Sequence, residues 1–97
     1  MEFEYLKTFL AVVRSGTIGQ AAKQLALTQS TVSNRMKEME KELGVALFNK
    51  KGRSLELTAE GKTYLPYAER SLALLDDAYR QMQRDFSRPK GMVTLAS

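Results

Sequence analysis

The hydrophobic residues of this chain fall into stretches with helical spacing. Over residues 3–14 large apolar side chains recur every three or four positions, which is typical of a helix that buries one face. A second helix is predicted to begin after Thr17, whose hydroxyl can cap it, with Gln20 completing a capping box. This helix ends at a turn over residues 26–28. The third helix follows and is predicted to stop at Gly44, since glycine readily adopts a left-handed cap.

The third predicted helix has two different faces. Its apolar residues form one narrow stripe: Val32, Met36, Met39 and Leu43. At about 100° per residue, the positions opposite the stripe are polar or cationic. They are Ser30, Asn34, Lys37 and Lys41, with Ser33 beside them. A core-packed face backed by small polar, amide and cationic groups suits a helix that lies in a DNA major groove. The alternative is an ordinary surface helix whose polar face meets only water, and periodicity by itself favours that alternative.

The order of the charges favours the DNA interpretation. No acidic residue occurs between Glu4 and Glu38, whereas five basic residues lie between them. A solvated face usually mixes both signs, while a DNA-binding face avoids carboxylates that would repel phosphate. The second and third helices are therefore predicted to form a helix-turn-helix over about residues 18–37. The carboxylates of residues 38–42 are expected on a solvated helix surface that points away from the groove.

A basic turn follows the third helix. Residues 49–58 read NKKGRSLELT, in which a glycine lies among cations and leucines then alternate with polar residues. Alternation of this kind predicts a strand, so the segment is interpreted as a small β-hairpin, the wing of a winged helix. Arg53 at its tip is expected to enter a minor groove, where negative potential is concentrated. The alternative is a plain charged hairpin tip.

A long helix is predicted over residues 59–88, with Thr58 as its cap and a bend or a delayed start near Pro66. Its apolar residues alternate spacings of three and four: Leu65, Ala68, Leu72, Leu75, Tyr79, Met82 and Phe86. Such a seam indicates pairing with another helix. Since residues 1–58 already supply a core, we expect the partner to be the same helix of a second chain. The alternative is that the seam lies along its own domain. Residues 89–97 are predicted to form a hinge and the start of a further domain.

Composition limits the possible functions. A chain of 97 residues with 43% hydrophobic residues fits one small domain, and a net charge of +4 is compatible with nucleic acid. There is no histidine and no cysteine, and no phosphate-cradling glycine loop or metal-ligand cluster occurs, so we expect no enzyme activity, no metal and no cofactor. The acidic start does not resemble a signal peptide and no apolar run reaches membrane-spanning length. We therefore expect a soluble, cytoplasmic protein without a membrane partner.

The order of these motifs resembles the N-terminal DNA-binding domain and linker helix of a LysR-type transcriptional regulator. The resemblance runs from residue 1 to about residue 88, and its most specific pieces are FLAVVRSGTIGQAAKQL, LTQSTVSNRMKEMEKELGVALF and LELTAEG. It implies a mainly α fold with a small β-hairpin wing, a winged helix-turn-helix followed by a long dimerisation helix. It also implies a homodimer that binds an interrupted palindrome in double-stranded DNA. Tetramers and a small-molecule effector would depend on an effector domain that is absent from this chain.

The resemblance and the helix faces together predict individual contacts. Base readout is expected from Gln29, Ser30, Ser33 and Asn34, and minor-groove binding from Arg53. Phosphate contacts are expected from Thr17, Thr28, Thr31, Arg35, Lys37, Lys50 and Lys51. Two positions depart from the family pattern, which usually has proline where this chain has Ser30 and arginine where it has Asn34. Asn34 is therefore expected to read adenine through its paired donor and acceptor. The alternative function is a helical protein-interaction module without specific DNA readout.

Overall fold

The computed structural model describes residues 3–86, which form four helices and one β-hairpin. The elements in chain order are α1 (Phe3–Ser15), α2 (Ile18–Leu25), α3 (Gln29–Leu43), β1 (Phe48–Lys51), β2 (Ser54–Leu57) and α4 (Ala59–Phe86). This order confirms the predicted winged helix-turn-helix followed by a long helix. The predicted hinge and strand at residues 89–97 lie outside the described residues.

Side-chain caps fix where α2 and α3 begin. The Thr17 hydroxyl accepts a hydrogen bond from the Gln20 backbone N–H at 3.1 Å, and the Thr28 hydroxyl accepts one from the Thr31 N–H at the same distance. The predicted capping box is only half formed. Its other half would be a bond from the Thr17 N–H to the Gln20 side chain, but this N–H donates to the Ser15 hydroxyl at 3.5 Å. Between the two helices Ala26 adopts a left-handed conformation, with φ 57°. Each cap orients the start of a helix that borders the candidate site.

The core lies between α1, α2 and α3 and is closed by the hairpin and the first half of α4. Its largest fully buried apolar side chains are Phe9, Met39, Leu47, Val12 and Val32. Phe9 is central, since its ring centroid lies 5.5 Å from those of both Phe48 and Tyr64. Burial, with the negative charge of Glu42 second, raises the pKa of Tyr64. Burial contributes about 1.5–3 kcal/mol for each large side chain and holds α3 against the rest of the domain.

The hairpin is short and tied to the helices. Its antiparallel register pairs Lys50 with Leu55 and Lys51 with Ser54, which leaves Gly52 and Arg53 as a two-residue loop. Gly52 has φ +62°, as the first position of a type II′ hairpin turn requires. The Leu55 N–H donates to the Gly16 carbonyl at 2.8 Å. This backbone bond holds the wing beside the start of α2.

The long helix α4 begins at Ala59, well before the delayed start predicted near Pro66. The Thr58 hydroxyl accepts a hydrogen bond from the Gly61 N–H at 2.9 Å and so caps the helix as predicted. The helix then continues from Ala59 through Pro66 without a break, so a delayed start is wrong. The first half of α4 packs against α1, and such tertiary packing stabilises a helix whose proline cannot donate a backbone hydrogen bond. In the part of the chain described, no helix combines the length and apolar character needed to cross a membrane.

The apolar seam of α4 divides into two parts. Ala68 is buried, and Leu65 and Leu72 are partly buried against the core of their own domain, as the alternative of a seam along its own domain predicts. Contact of Leu65 and Leu72 with a second chain stays a prediction. Leu75, Tyr79 and Met82 are 46%, 64% and 51% exposed. The two parts of the seam differ because α4 first passes beside α1 and then projects beyond it. The molecule is accordingly 51 Å long and only 26 and 20 Å across. The side chain of Phe86 lies outside the described part.

Candidate nucleic-acid interface

The polar face of α3 forms the centre of the candidate interface. Val32, Met36 and Met39 are buried, and this orients the opposite side of the helix outward. Gln29, Ser30, Asn34 and Lys37 are exposed there, while Ser33 and Thr31 are half-buried at its edges. The structure therefore brings the predicted base-reading residues together on the first three turns of one helix.

The wing tip and the start of α2 border the same surface. A cleft of about 300 Å³ opens between them and the tip of α3. Thr17, Gln29, Lys50 and Arg53 all line this cleft. Two cations and two polar side chains, predicted separately as phosphate, base and minor-groove contacts, thus surround one opening. Positive charge beside polar hydrogen-bonding groups is the arrangement that positions a protein on a phosphate backbone.

Several predicted phosphate contacts already have partners within the chain. The Thr28 hydroxyl lies 2.8 Å from the Thr31 hydroxyl and 3.3 Å from the Ser30 hydroxyl, in addition to capping α3. On the wing, the Lys51 ammonium lies 3.6 Å from a carboxylate oxygen of Glu56, with both side chains more than half exposed. Exposed ion pairs contribute about 0–1 kcal/mol, so this one leaves Lys51 free to exchange its partner for a phosphate.

Arg35 points away from the exposed face of α3. Its Nη1 donates to the Thr8 hydroxyl of α1 at 3.1 Å and lies 4.0 Å from Oε1 of Glu4. Its side chain is only 23% exposed, whereas Asn34 and Lys37 on the same helix are exposed. The phosphate contact of Arg35 stays a prediction, and in this structure the guanidinium joins α3 to α1.

Glu40 has a role that the sequence analysis missed. The prediction that the carboxylates of residues 38–42 lie on a solvated surface is wrong for Glu40, which is half-buried. Its Oε2 accepts hydrogen bonds from the backbone N–H groups of Leu47 at 2.7 Å and Phe48 at 3.3 Å. The signal was its position four residues after Met36, at the edge of the buried stripe. Glu40 thereby ties the last turns of α3 to the start of β1.

Comparisons with known proteins agree with this architecture. Residues 3–62 match the family model described as the bacterial regulatory helix-turn-helix protein, lysR family. The chain is similar to the HTH-type transcriptional regulator CitR of Bacillus subtilis, with 43% identity over 82 residues that cover 84% of this chain. It is 44% identical, also over 82 residues and 84% of this chain, to the HTH-type transcriptional regulator HdfR of Escherichia coli O139:H28. The match covers 27% of CitR and 29% of HdfR, so the chain spans under a third of the length of these relatives.

A solved structure has the same fold. The DBD of CbnR, crystallised as a complex with DNA, superimposes with a TM-score of 0.81 at 37% sequence identity. The match covers 87% of this chain and 97% of the CbnR chain. The likeness therefore includes the helices, the hairpin and most of α4.

Proposed function

Since this chain belongs to the LysR family of bacterial helix-turn-helix regulators, we propose that it binds double-stranded DNA sequence-specifically as a dimer. It would be the DNA-binding part of a longer cytoplasmic regulator and not an enzyme. The observation that carries the proposal is the shared cleft, which places the tip of α3, the start of α2 and the cationic wing around one opening. The CbnR domain, which has the same fold, was crystallised with DNA.

The readout would be divided between the elements. Gln29, Ser30, Ser33 and Asn34 would face base edges in the major groove, with Asn34 pairing its amide donor and acceptor with adenine. Contacts that fix the register on the phosphate backbone would come from Thr17, Thr31, Lys37, Lys50 and Lys51. Arg53 at the wing tip would enter the neighbouring minor groove. The absence of acidic residues from 5 to 37 supports this arrangement, because nothing in that stretch repels phosphate.

The dimer would form through the projecting half of α4. Leu75, Tyr79 and Met82 are exposed there, together with Leu74, which is 70% exposed. Large apolar side chains grouped on one projecting helix favour an interface between two chains. Two copies would then bind the two halves of an interrupted palindrome. Binding of a small-molecule effector and assembly into tetramers would belong to the remainder of the longer protein.

Binding-site selection from a random duplex library tests the readout. The wild-type chain is expected to enrich one palindromic sequence, and Gln29→Ala and Asn34→Ala are each expected to relax the preference at one position of each half-site. Gln83→Ala, an exposed position on the projecting part of α4, serves as the control and should enrich the wild-type sequence. A mismatch at a read base should cost about 1–3 kcal/mol. No enriched sequence from the folded wild-type dimer would contradict the proposal and favour the protein-interaction module.

A further inference from the structure

We propose that Arg35 is a positioning residue that sets the rotation of α3 through its bond to buried Thr8. In this role it acts from inside the domain and makes no phosphate contact. The inference rests on the proposed DNA binding and deepens it, since it identifies what determines the specificity of the exposed face. The evidence is a chain of three polar groups that crosses from α1 to α3.

The geometry of Thr8 directs its acceptor toward Arg35. Thr8 is fully buried, with 0% of its surface exposed. Its hydroxyl donates to the Glu4 carbonyl, one helical turn earlier, at 2.8 Å. The hydroxyl hydrogen is thereby used, and a lone pair is left to accept from Nη1 of Arg35 at 3.1 Å. The Glu4 carboxylate, 4.0 Å from the same nitrogen, adds a favourable charge interaction.

The apolar packing of α3 does not by itself define its rotation sharply. Two of its three buried side chains are Met36 and Met39. Methionine is flexible and polarisable and fits several packings, so it resists a small rotation of the helix only weakly. A hydrogen bond has a preferred direction and distance. The contact between Arg35 and Thr8 therefore supplies a directional restraint that the methionines lack. The directional bonds of Glu40 lie further along α3, toward its end.

A small rotation would matter for base reading. Side-chain tips lie about 5–6 Å from the axis of a helix, so a rotation of about 10° would move the Asn34 amide by roughly 1 Å. A paired donor and acceptor on one base tolerates only a few tenths of an ångström before its hydrogen bonds weaken. Arg35 is adjacent to Asn34 in the sequence and lies on the same helical turn. The bond that holds Arg35 against α1 therefore also holds the Asn34 amide in position on the exposed face of α3.

The experiment uses the duplex selected by the wild-type chain and a scrambled duplex, titrated by fluorescence anisotropy across a salt series. Thr8→Val removes the hydroxyl at a site that cannot touch DNA. It is expected to reduce the preference for the selected duplex by about fivefold or more, the low end of one base contact. Affinity for the scrambled duplex and the log–log salt slope should stay at the wild-type values, because no phosphate contact is lost.

Two further variants separate the possible roles of Arg35. Arg35→Met is expected to reproduce the effect of Thr8→Val, and the double variant should lose no more than either single variant, since both break the same contact. Lys37→Met, an exposed cation on the same helix, is the control. It should weaken binding to both duplexes equally and lower the magnitude of the salt slope by about 2, since each chain of the dimer loses one phosphate contact.

The outcomes are distinguishable. If Thr8→Val keeps the wild-type preference and Arg35→Met behaves like Lys37→Met, Arg35 is a phosphate contact and the proposal is overturned. If thermal melting shows that Thr8→Val does not fold, the Arg35→Met variant alone distinguishes a positioning role from a phosphate contact. A lost preference with an unchanged slope supports positioning, and a reduced slope overturns it. A wild-type chain that binds both duplexes equally contradicts the proposed function itself, and the positioning role with it.

Discussion

Replacement of Gly61 by alanine separates intrinsic helix preference from tertiary packing. Gly61 lies in the first turn of α4, where alanine is preferred over glycine by up to about 1 kcal/mol in a helix. Helix preference alone therefore predicts that Gly61→Ala stabilises the domain. The surroundings predict the opposite, because Gly61 is buried where α4 crosses the segment that leads into β1.

The clash is with backbone. A Cβ on Gly61 would overlap the carbonyl oxygen of Leu47 and lie 2.8 Å from Cδ2 of Leu57. The Leu47 carbonyl also accepts a hydrogen bond from the Thr58 N–H at 2.9 Å, and the Leu47 side chain is fully buried. The carbonyl therefore cannot move aside without breaking other contacts. Overpacking costs about 1–3 kcal/mol, and a backbone neighbour places this case at the upper end. After the helix gain is subtracted, the free energy of unfolding should fall by about 2 kcal/mol.

Gly19→Ala is the matched control. It is the same substitution near the start of a helix, but its Cβ would meet only Gln29 Nε2 at 3.5 Å, an ordinary contact. Thermal unfolding at one fixed chain concentration should show a loss of roughly 8–16 °C in Tm for Gly61→Ala. Gly19→Ala should show no loss, or a gain. A Gly61→Ala protein that is as stable as wild type would refute the reasoning about α4 and the β1 segment.

Three further substitutions test other parts of the structure. Glu40→Ala should lower the free energy of unfolding in urea by about 1–3 kcal/mol, because two backbone N–H groups lose their acceptor. The control Glu38→Ala, at an exposed position, should change it by less than about 0.5 kcal/mol. Equal effects of the two variants would contradict the role of Glu40. Ala26→Gly should raise Tm, corresponding to about 0.5–1 kcal/mol, since φ is 57° there, and a lower Tm would show that the turn is not strained. Tyr79→Glu should shift the sedimentation mass from dimer to folded monomer, and an unchanged dimer would exclude Tyr79 from the interface.

The sequence predicted local structure well because the relevant signals are local. The stripe Val32, Met36 and Met39 defines both faces of α3, and the threonine caps mark where helices begin. These features depend on residues within one or two turns, so periodicity and capping rules are sufficient.

The sequence did not predict features that depend on which elements meet. Ala68 and Tyr79 belong to one seam with one period, yet the first is buried in the core of the domain and the second is exposed. Arg35 follows the exposed Asn34, but the location of Thr8 on α1 decides where its guanidinium points. Glu40 cannot be told from its solvated neighbours by sequence, because its hydrogen-bond donor is the Leu47 N–H, seven residues later. In each case the contact joins residues from two elements, and spacing along the chain does not contain that information.

Sequence-specific binding to DNA can be measured by fluorescence anisotropy of the wild-type dimer on its selected duplex and on a scrambled one across a salt series. Exposed Lys37, Lys50, Lys51 and Arg53 give four cations per chain for phosphate and minor-groove contact. Eight in a dimer predict a log–log slope of roughly −7. A dimer that reads sequence should show this steep slope together with clearly tighter binding to the selected duplex. Equal affinity for both duplexes, or binding that barely responds to salt, would contradict it.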